Sequence, residues 1–152
     1  MRVEEKLKQL GLKLPPPPAP VATYVGAVRV GNLVFVSGHG PKREDGKYVT
    51  GKVPSECSIE QAQEAAKLVG LNMLATLKAE IGDLNKVKRI VKVLGMVNAD
   101  PDFTEHPKVI NGFSDFMVEL FGERGRGARS AVGMGSLPFR IPVEIEMVVE
   151  VE

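Results

Sequence analysis

The predicted strand from Val143 to Val151 reads VEIEMVVEV, and it carries the clearest fold signal in the chain. Its odd-numbered positions are all apolar, and Glu144, Glu146 and Glu150 stand between them. Successive side chains of a strand point to opposite faces of a sheet. One face of this strand is therefore expected to meet a hydrophobic core, while the other must be solvated or covered by another subunit.

Two longer segments upstream of that strand show helical periodicity. The first runs from Ser58, where Gln61 completes a capping-box pattern, to a glycine stop at Gly82. The second is predicted from about Pro107 to Phe121. Residues 2–10 also fit a short amphipathic helix, with three apolar side chains on one side: Val3, Leu7 and Leu10.

The remaining regular segments are typical of strands. Ala27 to Val30 and Leu33 to Ser37 predict a hairpin, because the Gly31-Asn32 pair between them tolerates a tight turn. Val87 to Val97 and Arg129 to Met134 predict two further strands. This order predicts an α+β fold, a mixed sheet with two helices packed on one face. The open face and the strand edges would invite assembly into a closed ring.

Composition limits the function classes. The 152 residues predict one domain, 1–152, with residues 1–20 as a proline-rich arm, and the net charge of +1 gives no field for a membrane or nucleic acid. A single cysteine, Cys57, excludes an internal disulfide and a multi-cysteine metal site. The segment from Met1 to Leu10 lacks the apolar run of a signal peptide. A cytoplasmic protein without metal or cofactor is the expectation.

Several segments share the order and spacing of a known family. They are Tyr24-Val25, Gly31 to Gly38, Asp102-Phe103, Asn111, Ala128 to Val132, Leu137-Pro138 and Val143 to Glu146. From about Tyr24 to Val151 the chain resembles the reactive intermediate deaminase family (Rid, YjgF or endoribonuclease L-PSP), as a divergent subgroup with a longer N-terminal arm. The resemblance implies a chorismate-mutase-like fold and a homotrimer with a central β-barrel and three clefts between subunits. It also implies hydrolysis of 2-imino acids and enamines to 2-oxo acids and ammonia without a cofactor.

The resemblance further implies roles for particular residues. Arg129 would bind the ligand carboxylate, and Glu144 would position or activate water. The other implied pocket residues are Tyr24, Ser37, Gly38, Asn111 and Ala131, with His39 at the pocket rim. Ala131 departs from the family pattern, because many deaminating members have a cysteine there.

Elementary chemistry agrees with this pair of residues. A guanidinium grips a carboxylate through two parallel hydrogen bonds, which fixes the ligand's orientation. A carboxylate near the attacking water can accept its proton. If their strands are adjacent, Arg129 and Glu144 are expected to share one cleft on the sheet face away from the helices. The alternatives are purely structural roles: a cross-strand ion pair for these two residues, and backbone hydrogen bonding for Ser37 and Asn111.

Two other functions stay open at this stage. A non-catalytic trimer that binds small carboxylates as a sensor or chaperone is compatible with Ala131 and the long arm. RNA binding or cleavage would use the cluster of Arg124, Arg126 and Arg129. The nearly neutral charge of the chain argues against nucleic acid, since phosphate contacts depend on positive charge.

Overall fold

The computed structural model describes residues 2–19 and 22–152. Its helices are α1 (Val3–Gln9), α2 (Ile59–Ile81) and α3 (His106–Phe121), and its strands are β1 (Ala27–Val30), β2 (Leu33–His39), β3 (Val87–Asn98), β4 (Ala128–Met134) and β5 (Val143–Val151). The predicted order of strands and helices and the α+β class are confirmed. The predicted element ends agree to within two residues.

The five strands form one mixed sheet in the order β1-β2-β5-β3-β4. Only the β3–β4 pair is parallel, and the other three pairs are antiparallel. The last strand of the chain therefore lies in the middle of the sheet, between β2 and β3. Strands β1 and β4 form its two edges.

Helices α2 and α3 cover one face of the sheet. The predicted capping box is present at Ser58, whose side chain accepts from the Gln61 amide while the Gln61 side chain accepts from the Ser58 amide. The two helices touch so closely that a Cβ at Gly112 would lie 2.2 Å from the Gln63 carbonyl oxygen. A side chain at Gly112 is therefore incompatible with this helix packing.

The alternation predicted for β5 is confirmed. Val143, Ile145, Met147, Val149 and Val151 are all at most 2% exposed and belong to the core beneath the helices. The opposite face of the sheet carries no helix of the described residues. On it lie exposed apolar side chains of β1, β2 and β4: Val28, Val30, Phe35 and Val132.

The N-terminal segment adds a third helix that packs near α3. Val3 and Leu7 of α1 are buried, as predicted. Leu10 was predicted on the same side and is instead 42% exposed, because α1 ends at Gln9 and Leu10 leaves the helical spacing. Beyond it the chain runs without regular structure to Ala19. Pro20, the end of the predicted arm, lies outside the described residues.

Candidate functional site

A cavity of about 1010 Å³ opens where β2 and β5 meet the arm. Its walls include the arm from Lys13 to Ala19, the end of β2, the loop that follows β2, the turn before β5 and the start of β5. Five of the sequence-predicted site residues line it: Tyr24, Ser37, Gly38, His39 and Glu144.

Glu144 stands directly over Gly38 in this cavity. A Cβ built on Gly38 would lie 2.2 Å from Oε2 of Glu144, so only glycine leaves room for the carboxylate in this position. Burial raises the pKa of the Glu144 carboxyl, and the like charge of Glu146 raises this pKa further. A carboxyl with a raised pKa exchanges protons closer to neutral pH than an exposed glutamate does.

His39 is a largely buried part of the cavity wall, held by hydrogen bonds at both ring nitrogens. His39 is 8% exposed. Its Nδ1 lies 2.6 Å from the Ser37 carbonyl oxygen, and its Nε2 lies 2.8 Å from Thr76 Oγ1. Nδ1–H donates to the carbonyl, so Nε2 accepts from the threonine hydroxyl. Desolvation lowers the pKa of His39, which the bond to Ser37 offsets only in part. The predicted rim residue is thus a buried ring that fixes the end of β2.

Ser37 and Tyr24 differ in how far they are free to meet a ligand. The Ser37 hydroxyl donates to the Val25 carbonyl at 2.6 Å. This is the structural role, a hydrogen bond to backbone, that the sequence analysis gave as its alternative. Tyr24 is 47% exposed at the cavity wall. Its ring is available to a molecule in the cavity.

Arg129 belongs to a second group of predicted residues. Its Nη1 donates to Asn111 Oδ1 at 2.9 Å and to Ser114 Oγ at 3.1 Å, so α3 fixes the guanidinium plane. No other hydrogen bond engages this guanidinium within residues 2–19 and 22–152. Ala131, two positions along β4, packs partly buried against the core on the same side. Asn111 therefore positions Arg129 and makes no bond to helix backbone.

Adjacent strands were the condition for Arg129 and Glu144 to share one cleft within a subunit, and the structure does not meet it. Strand β3 separates β4 from β5. The side chain of Arg129 points toward α3, whereas Glu144 lies on the face opposite the helices. The alternative prediction, a cross-strand ion pair between these two residues, is also wrong, because their strands are not neighbours. The candidate site residues therefore form two separate groups, named here the Arg129 half-site (Arg129, Asn111, Ala131) and the Glu144 half-site (Glu144, Gly38, Ser37, Tyr24).

Three residues of the cavity were missed by the sequence analysis. Tyr48 lies in the loop that follows β2, and its ring stacks on Phe139 with centroids 5.1 Å apart. Burial, with smaller contributions from Tyr24 and Glu144, raises the pKa of the Tyr48 phenol. The Asn72 amide donates to the carbonyls of Gly40 and Lys42 and so fixes the loop. No local pattern marks any of these residues, because long-range packing alone brings them together.

The arginine cluster that suggested RNA binding is mostly engaged. Arg124 donates to the Val87 carbonyl at 2.7 Å, and Arg126 pairs with Glu123 at 3.3 Å. Across residues 2–19 and 22–152, no group of three or more histidine, cysteine, aspartate or glutamate side chains is placed to hold a metal ion. Among the helices of these same residues, none is long and apolar enough to cross a membrane.

Comparison with known proteins identifies the family. Residues 4–148 match the family described as "YjgF/chorismate mutase-like, putative endoribonuclease". The chain belongs to this family. The fold expected from the resemblance is thereby confirmed, and the YjgF family pattern accounts for the mixed sheet with α2 and α3 on one face.

Three YjgF-family relatives resemble the chain over nearly its whole length. Protein TCP17 of Trypanosoma cruzi is 42% identical over 98% of this chain and 94% of its own. A 2-iminobutanoate/2-iminopropanoate deaminase of Dermatophagoides farinae is 33% identical over 93% of this chain and 95% of its own. The crystal structure of a protein of unknown function from Agrobacterium tumefaciens superposes with a TM-score of 0.91 and 45% identity, over 99% and 94% of the two chains.

Proposed function

We propose that this protein hydrolyses reactive 2-imino acids, or their enamine tautomers, to 2-oxo acids and ammonia. The observation that carries the proposal is the Glu144 carboxyl, half-buried over Gly38 in a large cavity, with a raised pKa. A relative that is 33% identical is a deaminase of this class. The protein would act in the cytoplasm and without a metal or cofactor.

The reaction needs only an oriented imine, a water molecule and a proton carrier. Water adds to C2 of the iminium, the C=N π electrons move to nitrogen, and the surplus water proton passes to Glu144. Glu144 then gives this proton to the amine nitrogen. The C–N bond breaks as the remaining hydroxyl becomes the 2-oxo group, and the departing ammonia takes up the hydroxyl proton. The iminium ion and water thus yield oxo acid and ammonium, with the carboxylate regenerated.

Arg129 is assigned to the substrate carboxylate. Asn111 and Ser114 hold Nη1, which leaves the other donors of the guanidinium free for a bidentate pair with an anion. Fixing the carboxylate fixes C2 against the water, and orientation of this kind supplies a large share of enzymatic acceleration.

A homotrimer is proposed because one chain separates its two half-sites. Arg129 lies on the edge strand β4, where a neighbouring subunit can reach it, and Glu144 lies on the face without helices. Exposed Val28, Val30 and Phe35 lie on that same face. An apolar sheet face of this kind is typical of an interface. In a closed ring, the Arg129 half-site of one subunit would complete the Glu144 half-site of the next.

The test is ammonia and oxo-acid release from freshly generated 2-imino acids with small and large side chains. The wild type should exceed the spontaneous rate, and Arg129→Ala should lose most of this acceleration while keeping its oligomeric state. An acceleration equal in both proteins would contradict the assignment of Arg129. No acceleration by folded, assembled wild type on any imine would contradict the deaminase itself.

Ala131 favours a second candidate, a non-catalytic trimer that binds small carboxylates. The alanine leaves space beside Arg129 but offers no reactive group. This candidate predicts saturable binding of 2-oxo acids that depends on Arg129, without multiple turnover of any imine. Turnover beyond one equivalent per site would exclude it.

A further inference from the structure

A large aromatic side chain is exposed on the wall of the cavity. Phe139 is 58% exposed, and its ring stacks on Tyr48 with an angle of 6° between the planes. Both rings line the cavity that contains Glu144. An exposed phenylalanine loses the hydrophobic stabilisation that burial would give it, so a molecule that covered this ring would be favoured.

The backbone holds Phe139 in this place against its conformational preference. Phe139 and Arg140 have φ values of 57° and 56°, in the left-handed region that residues other than glycine rarely occupy. The Arg140 carbonyl accepts from the Gly51 amide at 2.8 Å, and its guanidinium donates to Glu56 at 2.6 Å. Strained conformations of this kind concentrate where a ligand is held.

The proposed catalytic carboxylate and Tyr48 of the aromatic pair contact the chain at nearby positions, Gly38 and Gly40. A Cβ on Gly38 would meet Glu144, and a Cβ on Gly40 would meet the Tyr48 ring at 3.2 Å. Residues two apart in extended chain are separated by roughly 7 Å. A substrate with its reacting carbon at Glu144 would therefore direct its side chain toward Tyr48 and Phe139.

The size of the cavity also favours a substrate with a large side chain. Its volume of about 1010 Å³ lies at the upper end of the range for sites that hold drug-sized ligands. An imine with a side chain of one or two carbons would fill a small part of it. Four consecutive prolines, Pro15 to Pro18, line the same cavity and add an apolar part to its wall. Proline side chains are apolar and rigid, so this wall suits a flat hydrocarbon group.

We propose that this site selects 2-imino acids with an aromatic side chain over those with a short aliphatic one. The inference rests on the proposed deaminase function and adds its substrate class. The substrate ring would pack on the exposed ring of Phe139 beside Tyr48, within the cavity that Pro15 to Pro18 also line. Glu144 and the neighbouring subunit's Arg129 half-site would handle the imino acid group in the same way for every substrate.

The test compares two imines on wild type, Phe139→Asn and Leu10→Asn. The imines of phenylalanine and of 2-aminobutanoate are generated in the assay by an amino-acid oxidase. Asparagine tolerates the left-handed conformation, so Phe139→Asn should fold while it removes the ring. Leu10→Asn is the matched control, because Leu10 is also exposed (42%) but lies just after α1, outside the residues that line the cavity.

The wild type is expected to prefer the aromatic imine by roughly tenfold or more in kcat/KM, and Phe139→Asn should reduce that ratio by a similar factor. Leu10→Asn should keep the wild-type ratio. An equal or inverted preference in the wild type, or an unchanged ratio in Phe139→Asn, would overturn the inference and leave the deaminase intact.

Calorimetric binding of the two oxo-acid products covers the case in which no imine is turned over. The proposed function would then fail, but the substrate class would still be decided. Phenylpyruvate that binds roughly tenfold more tightly than 2-oxobutanoate, with the difference lost in Phe139→Asn, supports the aromatic site. Equal binding of the two acids contradicts it.

Discussion

Arg129 and Glu144 lie on opposite faces of one sheet, on strands separated by β3. Two strand spacings place their backbones at least roughly 10 Å apart, and their side chains point to opposite faces from there. A substrate small enough to be a 2-imino acid cannot bridge them around the sheet. If both residues act on one substrate, two subunits must supply them.

The Gly38 position tests the placement of the Glu144 carboxylate. Gly38→Ala would put a Cβ 2.2 Å from Oε2, so the carboxylate must move while the rest of the core stays as it is. A displacement of about 1 Å costs on the order of 10²-fold in rate, and kcat/KM should fall by that amount. Gly135→Ala is the control, because a Cβ there meets nothing within 4 Å. Full activity in Gly38→Ala would show that Glu144 does not act from this position.

The pH dependence of activity should report the influence of Glu146 on Glu144. Burial and the Glu146 charge both raise the pKa of Glu144, so Glu146→Gln should lower that pKa. The acidic limb of the kcat/KM profile should then move to lower pH. Glu150→Gln on the same strand face serves as the control, since Glu150 makes no contribution to this shift. If the acidic limb does not move in Glu146→Gln, the group that titrates there is not Glu144.

His39 should make stability fall on the acid side. Its folded-state pKa is lowered from 6.5, so its contribution to stability is present above that value and is lost as pH falls through the lowered pKa. The slope for one proton reaches about 1.4 kcal/mol per pH unit. Denaturant unfolding at several pH values should show this slope in the wild type and its loss in His39→Gln. Equal slopes would mean that His39 is charged in the folded protein.

The open sheet face should carry the assembly. Phe35 lies on this face and is 46% exposed, so Phe35→Asp would place a charge in the proposed interface with little effect on the folded chain. Light scattering should find monomers, and activity should disappear with the trimer. Leu10→Asp, at a similarly exposed apolar position just after α1, should leave the assembly unchanged. A trimeric Phe35→Asp protein would move the interface elsewhere.

The sequence predicted the elements well because their signals are local. The capping box at Ser58 and the alternation of β5 depend on neighbouring residues, and both are confirmed. The strand order depends on pairing between distant segments, which no local pattern specifies. The sheet face that carries Arg129 could not be predicted for a second reason. Strand β4 reads ARSAVGM, and neither of its faces is clearly apolar.

The aromatic residues of the cavity wall could not be predicted from the sequence either. Tyr48 comes from an irregular loop, and Phe139 adopts a backbone conformation that its residue type disfavours. Propensity argues against such a turn, so tertiary contacts had to override it. The sequence resemblance supplied the Glu144 half-site but gave no signal for the aromatic pair.

Subunit mixing tests the shared site most directly. Arg129→Ala and Glu144→Gln proteins, each inactive alone, are unfolded together in equal amounts, refolded and assayed for imine hydrolysis. A site between subunits predicts recovery of about a quarter of wild-type activity, because one random interface in four pairs an intact Arg129 with an intact Glu144. No recovery from correctly assembled mixed trimers would contradict the account, since it would mean that both residues must come from the same chain.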